Sequence, residues 1–288
     1  MSKISLKGVN TKEISSLFKR SASLENLIFI TVRGNEFEST SYNKNKSALK
    51  SVSADLEKVC DTFVNENGND PVKIQFSNAN KLIQHLALVG SENVDIVFDI
   101  EDNGYCKKVD IRNDEVKFSL ACADKEAVNF LEIPDSAKFS IFEDSSKLVF
   151  KMNINDSEFK YVNSLLNLNK ESTRVFFNFT GDDVFISEIE ATDDNVRTIV
   201  NEIIQSGDNS RFDAFEKLYS KKMNISDLEV SDNFESAYIG CFNKQYFPLI
   251  DTDKYYTVEF HTNKIRFISY DDEEFAKTYV VLTPVRFV

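Results

Sequence analysis

The sequence predicts an α+β chain of two similar domains in tandem, each made of two units of strand, helix and three strands. Three observations carry this prediction. The stretch Lys147 to Ser187 reads as an alternating strand, an amphipathic helix and a hairpin; the same order opens the chain; and the two helix caps, Asn10 and Asn155, stand 145 residues (155 − 10) apart, close to half of the 288.

The first domain spans residues 1–123. Ile4 and Leu6 alternate as in a strand with one buried face. Asn10 precedes Glu13 by three, a variant of the capping box in which a side-chain oxygen takes orphan amide protons and the glutamate reaches back. Ile14, Leu17 and Phe18 then make an apolar stripe, and Lys12, Ser15, Ser16, Lys19 and Ser23 a polar one opposite. Leu27 to Val32 is a strand, Gly34-Asn35 turns the chain, and Phe37 to Tyr42 and Ala48 to Leu56 continue as strands. Asn65 to Pro71 collects turn formers before Val72, Ile74 and Phe76 alternate again. A second helix, capped by Ser77 or Asn78 and ended by Gly90, places Leu82, Ile83, Leu86 and Val89 opposite Lys81, Gln84 and His85. Three strands follow, Val94 to Ile100, Cys106 to Arg112 and Val116 to Ala121, the first two joined by Asn103-Gly104.

Residues 124–146 surround Pro134 with mixed acidic and apolar residues and hold no period of 2 or 3.6, as a linker does. The second domain, 147–288, opens on Leu148, Phe150, Met152 and Ile154, then the pair Asn155 and Glu158. Its helix sets Phe159, Val162 and Leu166 against Lys160, Asn163, Asn167 and Lys170. Val175, Phe177 and Phe179 alternate, Gly181-Asp182 turns, and Val184 and Ile186 start back. The halves then diverge. Val196, Ile199, Val200 and Ile203 have helical spacing from Asp193 to Gly207, a further helical turn fits Phe212 to Leu218, and residues of about 193–222 read as an insert. A strand at Met223 to Val230 leads to a short helix around Ala237 to Tyr246 that Pro248 stops, and the chain closes with strands Tyr255 to His261, Ile265 to Ser269 and Thr278 to Leu282.

Composition removes several classes of function. No apolar run approaches the roughly 20 residues that cross a bilayer, and nothing at the start has the form of a secretory signal, so the expected location is the cytoplasm. Cys60, Cys106, Cys122 and Cys241 lack metal-ligand spacing, only two histidines are present, and reduced thiols without zinc are expected. The paired acids Asp182-Asp183, Asp193-Asp194 and Asp271-Asp272 fall at turns, where aspartate serves the backbone, so no metal or cofactor is assigned. There is no Gly-rich phosphate loop, no His-Glu-x-x-His and no Gly-x-Ser-x-Gly, and His85 and His261 form no evident nucleophile and base; an enzyme is not expected. The formal charge of −13 argues against a monomer that grips nucleic acid with a broad basic surface. It leaves room for an acidic molecule that gathers its lysines on one enclosed face.

Four strand-helix-three-strand units, an apolar linker and an acidic total resemble the DNA sliding clamps. Lys147 to Glu188 is similar to the opening of the second domain of tailed-phage DNA polymerase processivity factors. Asp253 to Pro284 is similar to the last strands of those clamps and of proliferating cell nuclear antigen, with Leu282-Thr283-Pro284 like the exit of the final strand. Asp193 to Lys222 has no counterpart in the compact phage clamps.

The resemblance implies the DNA-clamp fold with helices on the inner face of the sheets, and a homotrimeric ring of six such domains around double-stranded DNA. It implies as partners the replicative DNA polymerase and a clamp loader, with no membrane contact, in the host cell's cytoplasm if the protein is viral. Lysines without base-reading companions suit sliding, since contacts to phosphate carry no sequence information. The DNA-facing candidates are Lys12, Lys19 and Arg20 on the first helix, Lys81 on the second, Lys160 and Lys170 on the third and Lys244 on the fourth. Any one of them, taken singly, reads as an ordinary solvated side chain; the inference rests on their recurrence opposite the apolar stripe. By the same resemblance a partner-peptide pocket would be lined by Leu49, by Phe130, Leu131 and Ile133 of the linker, and by Val281, Pro284 and Phe287. The competing reading is a viral structural or assembly protein with tandem domains and no DNA contact, whose helix lysines would share no common face.

Overall fold

The computed structural model describes residues 2–22, 26–43, 45–90, 94–128, 133–232, 234, 237–269 and 276–285. The chain divides into two compact units, Met1–Lys138 with Asp272–Tyr279, and Phe139–Asp271 with Val280–Val288.

In unit 1, β1 (Ser2–Val9) leads through the Asn10 cap into α1 (Thr11–Ser21), followed by β2 (Ile28–Arg33), β3 (Glu36–Tyr42), β4 (Ala48–Asp55), β5 (Thr62–Asn65) and β6 (Val72–Phe76). Then come α2 (Ala79–Val89), β7 (Val94–Ile100), β8 (Cys106–Arg112) and β9 (Lys117–Ala121). The single helical turns α3 (Lys125–Val128) and α4 (Asp135–Lys138) end the unit's main segment. One antiparallel sheet runs β5-β1-β7-β8-β9. In the other, β2 lies between β3 and β6, and β3 pairs onward with β4. Both helices pack side by side, and their apolar stripes meet alternate residues of both sheets in one core: Ile14, Leu17 and Phe18 from α1, Leu82, Leu86 and Val89 from α2. The β1 register shifts between Leu6 and Val9 at Gly8, which has φ +63°. That left-handed conformation, which side chains rarely adopt, favours glycine at the bulge, and a Cβ there would also have to displace the Asp61 carboxylate.

Unit 2 repeats this pairing. A π-turn (Phe139–Glu143) precedes β10 (Leu148–Ile154), α5 (Asp156–Leu168), β11 (Arg174–Phe179), β12 (Val184–Glu190), α6 (Asp193–Ser206) and β13 (Glu216–Lys222). After these come β14 (Ser226–Val230), β15 (Tyr238–Asn243), β16 (Tyr256–His261), β17 (Lys264–Ser269) and β18 (Ala276–Leu282), whose Ala276 belongs to the core of unit 1. β10 lies between β14 and β16 as β1 lies between β5 and β7; β11 lies between β12 and β15 as β2 lies between β3 and β6. The internal repeat is therefore a repeat of hydrogen-bond partners, not only of sequence pattern.

Three sequence expectations need correction. Ala237 to Tyr246 is not helical: Tyr238–Asn243 is a strand paired along the whole of β11, and a 3-10 helix (Lys244–Leu249) with Pro248 inside it follows. β-branched and aromatic residues with a partner strand outweigh their weak helical spacing. The insert is shorter than 193–222, because Glu216–Lys222 pairs with β12 as β4 pairs with β3. Phe212 to Leu218 is a 3-10 turn (Asn209–Ala214) running into that strand. What is inserted is α6 and this turn. Val196, Val200, Ile203 and Phe212 cover the side of β11 and β15 that carries Phe176, Ile239 and Cys241.

Candidate nucleic-acid interface

Each α-helix of the repeat is fixed by a cap and an apolar stripe, and these decide which side chains remain for other work. Asn10 Oδ1 accepts from the amides of Lys12 (3.0 Å) and Glu13 (3.4 Å), Asn78 Oδ1 from Lys81 (2.9 Å), and Asn155 Oδ1 from Glu158 (2.8 Å). With Ile14, Leu17 and Phe18 buried, Lys12 and Lys19 point outward and Arg20 is half-buried; with Leu82 and Leu86 buried, Lys81 is exposed. In α5 the buried stripe is Phe159, Val162 and Leu166, and Lys160 is exposed opposite it. Lys160 forms an i, i+4 pair with Asp156 at 3.0 Å, which holds the Asp156 carboxyl below its usual range; such an exposed pair leaves the ammonium available at little cost.

Two candidate cations stand elsewhere than expected. Lys170 is exposed but lies beyond α5, which ends at Leu168 with Asn169 in an extended conformation. Lys244 sits on the 3-10 helix with its side chain only 13% exposed, 2.6 Å from Glu188 Oε1, and it also donates to the carbonyl of Asn169. Glu188 is wholly buried on β12; burial pushes its carboxyl upward and Lys244 opposes that shift. The Lys244 charge is spent inside the unit, so it is no surface cation.

Glu158 also departs from its expected role. Instead of closing the capping box, its carboxylate accepts from Lys221 Nζ and from the amide of Asn224 (3.0 Å), tying α5 to the end of β13. Lys221 Nζ lies 5.0 Å from the centroid of Tyr161. No sequence spacing links residues 158 and 221, and only the β12–β13 pairing brings them together.

A second polar cluster is likewise assembled by strand pairing and not by sequence spacing. Arg266 pairs with Glu259 at 2.5 Å and donates to the carbonyl of Phe142, while Lys264 donates to that of Ser140 at 2.5 Å. The buried His261 lies 3.4 Å from Glu259. Burial lowers the His261 pKa. Burial would raise that of Glu259, but His261 and Arg266 outweigh it and leave the carboxyl below its usual range.

Of the expected peptide-pocket residues, Leu49 and Ile133 are buried in unit 1, Val281 is buried and Pro284 half-buried in unit 2, and Phe130, Leu131 and Phe287 lie outside the described residues. Among the described residues no group of His, Cys, Asp and Glu is arranged to hold a metal ion, and all four cysteines are thiols. Among those residues, no helix is long and apolar enough to cross a membrane. In unit 2 an open cavity of about 670 Å³ is bordered by Leu165 and Leu168 of α5, Arg174 of β11, Val196 of α6 and Leu218 of β13.

No protein-family model matches the sequence, nor does any curated protein. Solved structures do match. The chain is similar to A. fulgidus PCNA in a structure with the C-terminal region of FEN-1 bound (TM-score 0.63, 13% identity, 99% of each chain). It is equally similar to PCNA of Thermococcus kodakaraensis (0.64, 13%, 98% of this chain and 100% of that one). A chain of the PCNA2-PCNA3 complex of Sulfolobus tokodaii also matches (0.63, 10%, 99% and 100%). The chain therefore has the sliding-clamp fold along nearly its whole length.

Proposed function

We propose that this chain is the subunit of a DNA sliding clamp, a scaffold and not an enzyme, that closes as a homotrimeric ring around double-stranded DNA and tethers a replicative DNA polymerase. The observation that carries this reading is the recurrence of exposed lysine opposite the buried stripe on α1, α2 and α5: Lys12, Lys19, Lys81 and Lys160. In a chain of net charge −13, cations that recur on the helix face that packing leaves over suit a passing phosphate backbone. Arg20 and the loop residue Lys170 extend that set.

Ring closure is supported by strand edges. Among the described residues β9 pairs only with β8, and β13 only with β12. Beside β13 the apolar Leu168 and Leu218 are 78% and 45% exposed, a surface that a neighbouring copy would cover. A head-to-tail contact between two different edges closes into a ring when its rotation allows. A clamp loader would then open the ring, and client segments would dock on its subunits. A viral replication apparatus in the host cytoplasm is the setting in which we place it.

The test has two arms. Native mass spectrometry should give a particle of three 32.9 kDa chains. Reversal of Lys12, Lys81 and Lys160 to Glu should leave that mass unchanged and abolish clamp-dependent processive synthesis. A monomer, or unchanged synthesis by the triple variant, would overturn the reading in favour of an assembly protein that never meets DNA.

A further inference from the structure

We propose that Cys106 and Cys122 of unit 1 are a reversible dithiol site, which a small-molecule disulfide of the glutathione class oxidises to an intrachain bond that fastens β9 to β8. A bulge makes the pair. The pairing of β7 with β8 runs Phe98–Val109, Asp99–Lys108 and then Ile100–Cys106, so Lys107 is one residue extra. In a regular strand Cys106, three positions before Val109, would face away from the core; with the extra residue both are buried in it, and Lys107 is exposed. On β9, Leu120 pairs with Val109 and Ala121 with Lys108. Cys122, two positions beyond Leu120, turns inward again and packs against the same core. Its amide donates to the Lys107 carbonyl at 2.9 Å, so the two cysteines stand on one face at the same end of neighbouring strands.

Side chains so placed are within bridging range. Facing residues of antiparallel strands have Cα atoms about 4.5–5.5 Å apart, inside the roughly 4.4–6.8 Å that a disulfide spans. The two thiols already share a hydrogen bond, which together with burial raises the Cys106 pKa. Cys106 Sγ also donates to the Lys108 carbonyl at 3.2 Å, across the bulge. The pair differs in access: Cys106 is 6% exposed, whereas Cys122 is half-buried. That difference sets the order of events. The Cys122 thiolate attacks one sulfur of the small disulfide, forming a mixed disulfide and releasing one thiolate. Cys106 Sγ then attacks Cys122 Sγ, and the second small thiolate leaves with the Cys106 proton. Two protein thiols are oxidised, and one small disulfide is reduced to two thiols. The same exchange run backwards restores the dithiol when the surrounding thiol pool is reducing. The bond falls where it has most to hold. Among the described residues β9 pairs on one side only, with β8, and a strand held by a single ladder opens more readily than a central one. Cys60, half-buried in the same unit, donates instead to the Leu56 carbonyl at 3.2 Å and is the internal control.

The test is treatment of the full chain with glutathione disulfide, alkylation of the remaining thiols and peptide mapping by mass spectrometry. We expect a cross-linked Cys106–Cys122 peptide pair, a free Cys241, at most a glutathione adduct on Cys60, and return to four thiols on adding dithiothreitol. Amide hydrogen exchange of Phe118 to Ala121 should slow by about tenfold or more in the oxidised chain. Cys106→Ala should halt the reaction at a glutathione adduct on Cys122. Cys122→Ser should leave Cys106 unmodified, and serves if Cys106→Ala fails to fold. Separate adducts on Cys60 and Cys122 without a cross-link, a bridge between any other pair or between two chains, a Cys106 adduct in Cys122→Ser, or exchange of β9 unchanged by oxidation overturns the proposal.

Discussion

The two units share their strand pairing and differ in what fills them. Unit 1 packs two eleven-residue helices over a core dominated by Ile, Leu and Val. Among its described residues unit 2 keeps only α5 in that role; in place of α2 it has the six-residue 3-10 helix Lys244–Leu249, and large rings take up the space. Phe247 meets Phe177 and Phe267 at 6.1 and 6.3 Å, and Phe150 stacks between Phe179 and Phe260 at 4.4 and 4.2 Å. The comparison shows that a sheet topology survives the loss of a helix when the volume is refilled. It also shows a cost. Where unit 1 sets Ser41 opposite Lys50, unit 2 sets Glu188 opposite Tyr219, and the buried carboxylate needs Lys244 beside it.

The largest expected effect tests the refilling directly. Phe247→Ala should destabilise unit 2 by about 3–5 kcal/mol, and by more than the loss, within about 2–5 kcal/mol, that Leu86→Ala causes in unit 1 on the helix that unit 2 lacks. Chemical denaturation with a fluorescent probe in each unit reads both. If Leu86→Ala proves the costlier, the rings are not what replaces the helix.

A second effect isolates the buried pair. Lys244→Met strands the Glu188 carboxylate and should cost about 3 kcal/mol or more, and adding Glu188→Gln should recover most of that loss. Recovery below half would mean that Lys244 acts through its bond to the Asn169 carbonyl.

The smallest effect belongs to the buried histidine of unit 2, His261. Because folding lowers the His261 pKa, the unfolded state binds the extra proton first, so stability is full above about pH 6.5 and falls as pH drops below it. The loss approaches about 1.4 kcal/mol per pH unit within the window between the two pKa values. Glu259, depressed in the fold, extends the loss to lower pH. Denaturation of His261→Gln at pH 7.5 and 5.5 should show a flatter dependence than the native chain. An equal slope in the variant and the native chain would assign the acid sensitivity to carboxylates alone.

Much of this was legible in the sequence because it is local. The caps Asn10, Asn78 and Asn155 and the stripes behind them announce α1, α2 and α5, and alternation announces most strands. The short helix at Ala237 to Tyr246 misled, since one apolar segment of that length satisfies either period until a partner strand chooses. The lysines of α1, α2 and α5 could be named from spacing alone. Lys244 could not be excluded, because its burial depends on Glu188, far away in sequence.

The inserted α6 leaves and returns between two strands that remain paired. Five residues (43–47) join β3 to β4, whereas twenty-five (191–215) join β12 to β13. By the logarithmic dependence of loop closure on length, this fivefold difference adds about 1.4 kcal/mol of entropy to be overcome before the longer hairpin forms. During synthesis, therefore, the amino-terminal half can zip up while its counterpart still awaits a distant strand, and the order in which the ribosome delivers the two halves favours the one that folds faster.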